Sequence, residues 1–217
     1  MISMNLELIN PHMLKILIAV KKEDSINALS HRIKLSYGWT YKWVKELADK
    51  EVFRLTRMRI YLNKDNEFYK KTINYIKQIL CKDIKFYYEV LSLFGIKYCF
   101  TKTDSVFVWT KGGYNIGRYR DFYPIFIKIK KEYKDIFEDY CKRLNLKINA
   151  KKGIFYQPYY LNDFDIDYCE DIPVDSLDNT IKFMHKYIYN FEPALEMIKE
   201  MYNKKIKVKY KEVEINV

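Results

Sequence analysis

Between Ser25 and Leu62 the hydrophobic period changes twice, and no other stretch constrains the fold as tightly. Ala28, Leu29 and Ile33 share one face of a short helix. Ser36, Tyr37 and Gly38 interrupt that spacing, and Thr40, Val44 and Leu47 then mark one face of a second helix. From Val52 to Leu62 apolar residues alternate with basic or polar ones, the pattern of a half-buried hairpin. An earlier helix is signalled by Asn10-Pro11, a capping side chain followed by proline at the first helical position. Met13, Leu14, Ile16, Leu17 and Val20 supply its apolar side and are expected to close a three-helix core.

These periods assign faces. With Thr40, Val44 and Leu47 inward, Tyr37, Trp39, Tyr41, Lys42 and Lys45 point outward from the second helix. Arg54, Arg57 and Arg59 lie in or beside the hairpin. Helix, turn, helix and basic hairpin is the layout of a winged helix-turn-helix, whose second helix enters the major groove with its N-terminal residues toward base edges. The tyrosines can exchange hydrogen bonds there, the lysines reach acceptors or phosphates, and the arginines reach the backbone or an adjacent minor groove. The expected DNA-binding set is Ser36, Tyr37, Trp39, Tyr41, Lys42, Lys45, Arg54, Arg57 and Arg59. The competing reading is a small helical bundle whose outward Lys and Tyr are merely solvated.

Charge agrees with a polyanionic partner without proving one. The 217 residues carry a formal net charge of +11, and 49% hydrophobic with 31% charged residues describes a globular chain. Eleven Lys and Arg against six Asp and Glu fall in residues 1–62, so the excess is not confined to either end. The four cysteines, at 81, 99, 141 and 169, form no CxxC pair and are expected to be reduced, buried thiols of a cytoplasmic protein. No signal peptide is expected, and no apolar run reaches the roughly 18 residues of a membrane span.

Residues 64–94 read as one long helical region with a stripe at Tyr69, Ile73, Ile76, Leu80, Ile84, Tyr87 and Leu91. Tethering two domains and pairing with a second copy both suit such a stripe. Beyond Gly95, strands are expected at 96–100, 124–130, 146–148 and 154–160, with 101–109 either helix or strand. Helices are expected at 132–144, 178–189 and 193–202, and a terminal edge strand at 205–217.

Two stretches there invite chemistry. Lys111 to Arg120 is glycine-rich but lacks phosphate-loop spacing. Its Lys111, Arg118 and Arg120, interleaved with Tyr114 and Tyr119, suit either nucleic-acid contact or a plain surface hairpin. Asp163, Asp165 and Asp167 alternate, so a strand would place three carboxylates on one face where a divalent metal could bind. A solvated acidic loop is the simpler reading.

Residues 1–62 resemble the winged helix-turn-helix domains of prokaryotic transcriptional regulators. The later stretches YCFTKTDSVFVW, PIFIKI and IPVDSLDNTIKFM resemble the nucleotidyltransferase-like domain of abortive-infection antitoxins and related archaeal regulators. Active nucleotidyltransferases carry a Gly-Ser turn after the first strand and then a strand with paired acids. Here Thr101 to Ser105 fall at the turn and Pro124 to Lys130 contain no acid, so the resemblance implies a lost catalytic apparatus.

The expectation is an α+β chain: a winged helix-turn-helix over 1–63, a helical linker or dimerisation helix over 64–94, and a mixed α/β domain over 95–217. It is read as a DNA-binding transcriptional regulator, an autoregulating antitoxin being a special case. Its expected partners are double-stranded DNA, a second copy in a homodimer and a protein at the C-terminal domain, with no catalytic residue, metal or cofactor assigned. The alternative is a metal-dependent nucleotidyltransferase-like enzyme using the carboxylates at 163–167 and targeted by its winged domain.

Overall fold

The computed structural model describes residues 10–79, 82–116, 118–119 and 121–208. The protein is α+β. Among the described residues, nine α-helices accompany a three-stranded antiparallel sheet and a five-stranded mixed sheet. The chain divides into two compact units, one running to Ile96 and including Asp135–Leu146, the other comprising Lys97–Lys134 and the residues from Lys147 onward. The helices between 67 and 93 and the helix beginning at Lys134 therefore belong with the first unit. No helix among the described residues is long and apolar enough to cross a membrane.

The first unit begins with α1 (Pro11–Ala19), where the Asn10 side chain accepts the His12 N–H at 2.8 Å. Strand β1 (Glu23–Asp24) follows, then α2 (Ile26–Ile33) and α3 (Tyr37–Asp49), capped by Ser25 and Ser36 respectively. Leu29, Ser30 and Ile33 are buried on α2, whereas Ala28, expected inward, is exposed. Tyr37 and Gly38 already belong to α3, because the Ser36 cap starts the helix inside the break in spacing. Strands β2 (Phe53–Leu55) and β3 (Ile60–Leu62) form the hairpin, and β3 sits between β1 and β2.

Beyond the hairpin the expected single long helix is two: α4 (Glu67–Ile79) and α5 (Ile84–Val90), followed by a 3-10 turn at Leu91–Leu93. Asp83 holds an extended backbone and caps α5 by accepting the Lys85 N–H at 2.9 Å, which starts a new helix. Of the stripe, Tyr69, Ile73, Ile76, Tyr87 and Leu91 are buried; Leu80 lies outside the described residues. Helix α7 (Lys134–Leu144) completes this unit through Phe137, Tyr140, Cys141 and Leu144, with Tyr140 stacked on Phe94 at 4.5 Å.

The carbonyls at the buried end of α1, which have no partner within the helix, are satisfied by side chains from distant positions. Arg32 donates to Ala19 O at 2.9 Å, Arg143 donates to Val20 O at 2.7 Å and also to Ile18 O, and the Tyr140 hydroxyl donates to Ala19 O. Two guanidinium charges thus meet the negative end of the helix dipole. Arg32 also forms a buried ion pair with Asp24 at 2.6 Å.

The second unit is built on a sheet of order β6-β5-β4-β8-β7. Strands β4 (Tyr98–Phe100) and β5 (Phe122–Lys130) are antiparallel, and β5 runs parallel to β6 (Gly153–Leu161) over nine paired positions. Strands β7 (Asp167–Cys169) and β8 (Ile172–Val174) form a hairpin, with β8 parallel to β4. Ile125, Ile127 and Ile129 are fully buried on one face of β5. The stretch after β4 is helical, α6 (Thr103–Trp109), whereas Ile148 makes only an isolated bridge to Tyr156. Helices α8 (Leu177–Lys186) and α9 (Ile188–Met201) are separated at Tyr187, so Pro193 lies inside α9 rather than at its start. Residues 205–208 form no strand; 209–217, the rest of the expected edge strand, lie outside the described residues.

Candidate nucleic-acid interface

Burial on α3 follows the sequence period. Thr40, Val44 and Leu47 are fully buried, while Tyr37, Trp39, Tyr41, Lys42 and Lys45 are exposed. Tyr37 and Trp39 keep 54% of their surface in solvent and Tyr41 45%, a large apolar area for one helical turn. Tyr37 and Tyr41, four residues apart, stack at 6.2 Å with an 18° interplanar angle. The Lys42 ammonium lies 5.2 Å from the Trp39 ring and 5.3 Å from the Trp43 ring, so its charge rides over aromatic faces. Ser36 acts on its own helix: its hydroxyl accepts the Trp39 N–H at 3.3 Å.

The hairpin distributes its arginines differently. Arg54 lies over the Tyr61 ring at 4.7 Å, across the ladder from it. Arg59 pairs with Glu23 of β1 at 3.2 Å, both half exposed, which ties the tip end of the hairpin to the edge strand of the sheet. The tip is Arg57-Met58, closed by Thr56, whose N–H and hydroxyl both donate to Arg59 O at 2.8 and 3.1 Å. Met58 is 76% exposed.

Several participants escape a sequence reading. His12 of α1 approaches Trp39, their ring centroids 6.3 Å apart. Gly38 sits within the first turn of α3, and a Cβ built there would meet nothing within 4 Å. Glycine in a helix costs stability, so its own fold gives no reason for the residue. A glycine between two outward aromatics was the available signal.

The second-unit candidates have other employment. Arg118 is buried and paired with Asp104 at 2.7 Å, and Asp104 also accepts the Phe126 N–H at 2.7 Å. Lys111 pairs with Glu170 at 2.6 Å, while Gly117 and Arg120 lie outside the described residues. Asp163 and Asp165 fall between β6 and β7 rather than on a strand, and Asp163 pairs with Lys97 at 2.7 Å, which holds its carboxyl below the ordinary range. Among the described residues no three His, Cys, Asp or Glu side chains are grouped to hold a metal ion. Cys99, Cys141 and Cys169 are free and buried, and burial raises the Cys99 thiol to about 12; Cys81 lies outside the described residues. Comparison with protein-family models, with curated proteins and with solved structures found no match to this chain.

Proposed function

We propose that the first unit is a winged helix-turn-helix that binds duplex DNA, and that the protein is a transcriptional regulator. The observation that carries this reading is the order α1-β1-α2-α3-β2-β3 with β3 between β1 and β2, combined with the outward row Tyr37, Trp39, Tyr41, Lys42 and Lys45 on α3. In this arrangement α3 lies in the major groove and the hairpin tip reaches the flanking backbone or minor groove. Lys45 and Arg57 are the phosphate contacts, and Tyr41 and Trp39 meet base edges and thymine methyl groups. Ser36 positions the helix by capping it, and Arg59 braces the hairpin against Glu23. The second unit serves sensing, dimerisation or a protein partner. The burial of Asp104 under Arg118 and the absence of any acid in Phe122–Lys130 support a non-catalytic form of the nucleotidyltransferase-like arrangement.

Fluorescence anisotropy on labelled duplexes, titrated with salt, tests the reading. Binding whose logarithmic salt slope falls by about one in Lys45→Ala or Arg57→Ala agrees with phosphate contacts at these positions. Unchanged binding in both variants removes α3 and the hairpin as the interface.

A further inference from the structure

The second unit contains a cleft of about 550 Å³ that the DNA-binding reading does not use. Its floor is one face of the β5–β6 pair, where Phe122, Phe126 and Phe155 come to the same side, and Phe183 and Phe191 of α8 and α9 form a wall. Aromatic side chains on two walls of a half-open cleft suit a flat ring. One edge is polar in a particular way. Lys102 lines it with a half-buried side chain whose ammonium donates to the Tyr159 hydroxyl at 2.6 Å and lies 4.2 Å from that ring and 5.6 Å from Phe126. It pairs with no carboxylate among the described residues. Beside it the Thr103 hydroxyl is buried and has no hydrogen-bond partner among the described residues.

The backbone adds an independent observation. Lys102 has φ 53° and ψ −127°, a conformation that favours glycine and costs a side-chain-bearing residue stability. A lysine in that backbone conformation, with ammonium capacity left over at the cleft edge, is what an anionic ligand would require. We propose that this cleft binds a small planar aromatic anion, its ring between the phenylalanines and its negative group on Lys102.

Three probes of one outline and different charge test the proposal: 2-naphthoate, its neutral amide and its cationic amidine, titrated calorimetrically into the full chain without DNA. The expected order is naphthoate first, at least about tenfold tighter than the amide, with the amidine weakest, as a charge-assisted hydrogen bond predicts. Lys102→Met is expected to bring naphthoate down to the amide's affinity while leaving the amide unchanged. Lys102→Gly separates ligand binding from folding: it relaxes the backbone and raises Tm, yet loses naphthoate as far as Lys102→Met does. Equal affinity for the three probes, no binding of any, or naphthoate binding that survives both substitutions overturns the proposal.

Discussion

Two stretches of this chain look alike as sequence. YGWTYKWVK on α3 and KGGYNIGRYR after α6 both interleave tyrosine with cations and glycine, the composition of a nucleic-acid contact. In the first, helical period puts Thr40, Val44 and Leu47 in the core, so every cation faces solvent. In the second no such period exists, and the described cations are taken by acids far away in sequence, Arg118 by Asp104 and Lys111 by Glu170. Composition alone does not distinguish a contact surface from an internal charge network. A period that commits one face to the core leaves the other face free.

Substitutions should break the likeness in opposite ways. The largest effect is expected from Asp104→Ala, which leaves the Arg118 guanidinium buried beside a missing partner and should cost about 3–5 kcal/mol in denaturant unfolding. Lys42→Ala on α3 should stay within about 0.5 kcal/mol of the parent. A small loss at Asp104 would mean that water reaches Arg118. Next come the losses in DNA binding, about 1–3 kcal/mol for Tyr41→Ala on a preferred site and a smaller loss there for Lys45→Ala. Only the tyrosine variant should alter the ranking among sites, and a parallel loss on all sequences would exclude base reading by Tyr41.

Gly38→Ala should move two quantities in opposite directions. The new methyl meets no atom of its own chain, so folding gains up to about 1 kcal/mol, while DNA affinity falls because the methyl occupies the approach to the groove. A variant that is stabler and binds equally well would place Gly38 off the interface. The smallest effect at neutral pH concerns Cys99, whose thiol is raised to about 12, chiefly by burial and then by the Asp175 charge. A thiol more protonated in the folded state stabilises fully below the unfolded value of about 8.5, and that contribution fades as pH rises toward the folded value. Urea midpoints of Cys99→Ala and parent should therefore converge as pH rises above about 9. Divergence there would show a thiolate already formed in the native protein.

What the sequence disclosed is local, and what it hid is mostly long-range. The Asn10 cap, the buried faces of α2 and α3 and the alternating hairpin each follow from residues within about a turn of one another. Strand β1 is two residues inside a charged run, Lys21 to Asp24, and only its ladder with Tyr61 and Ile60 makes it a strand. Asp24 reads as solvated until Arg32 closes on it. Helix α7 was visible as a helix, but its membership of the first unit depends on Tyr140 and Arg143 meeting α1 carbonyls more than a hundred positions away. The split of 64–94 rests on the single cap at Asp83, and α9 carries Pro193 where local rules would start a helix. At 163–167 the simpler reading, a solvated acidic loop, describes Asp163 and Asp165, which follow the end of β6 at Leu161, whereas Asp167 opens β7 opposite Val174. The outward set on α3 was legible and Gly38 carried a signal between its aromatics, whereas the approach of His12 to Trp39 and the Lys102 cleft arise only from tertiary packing.

The central claim, that the outward row of α3 reads duplex DNA, is tested most directly by random-site selection on the full chain at near-physiological salt. The claim predicts an enriched motif, an inverted repeat with half-sites about one helical turn apart if two copies bind, and loss of that enrichment in Tyr41→Ala. Recovery of an unenriched pool whose binding vanishes with modest added salt would contradict it, leaving a basic surface that meets polyanions without reading them.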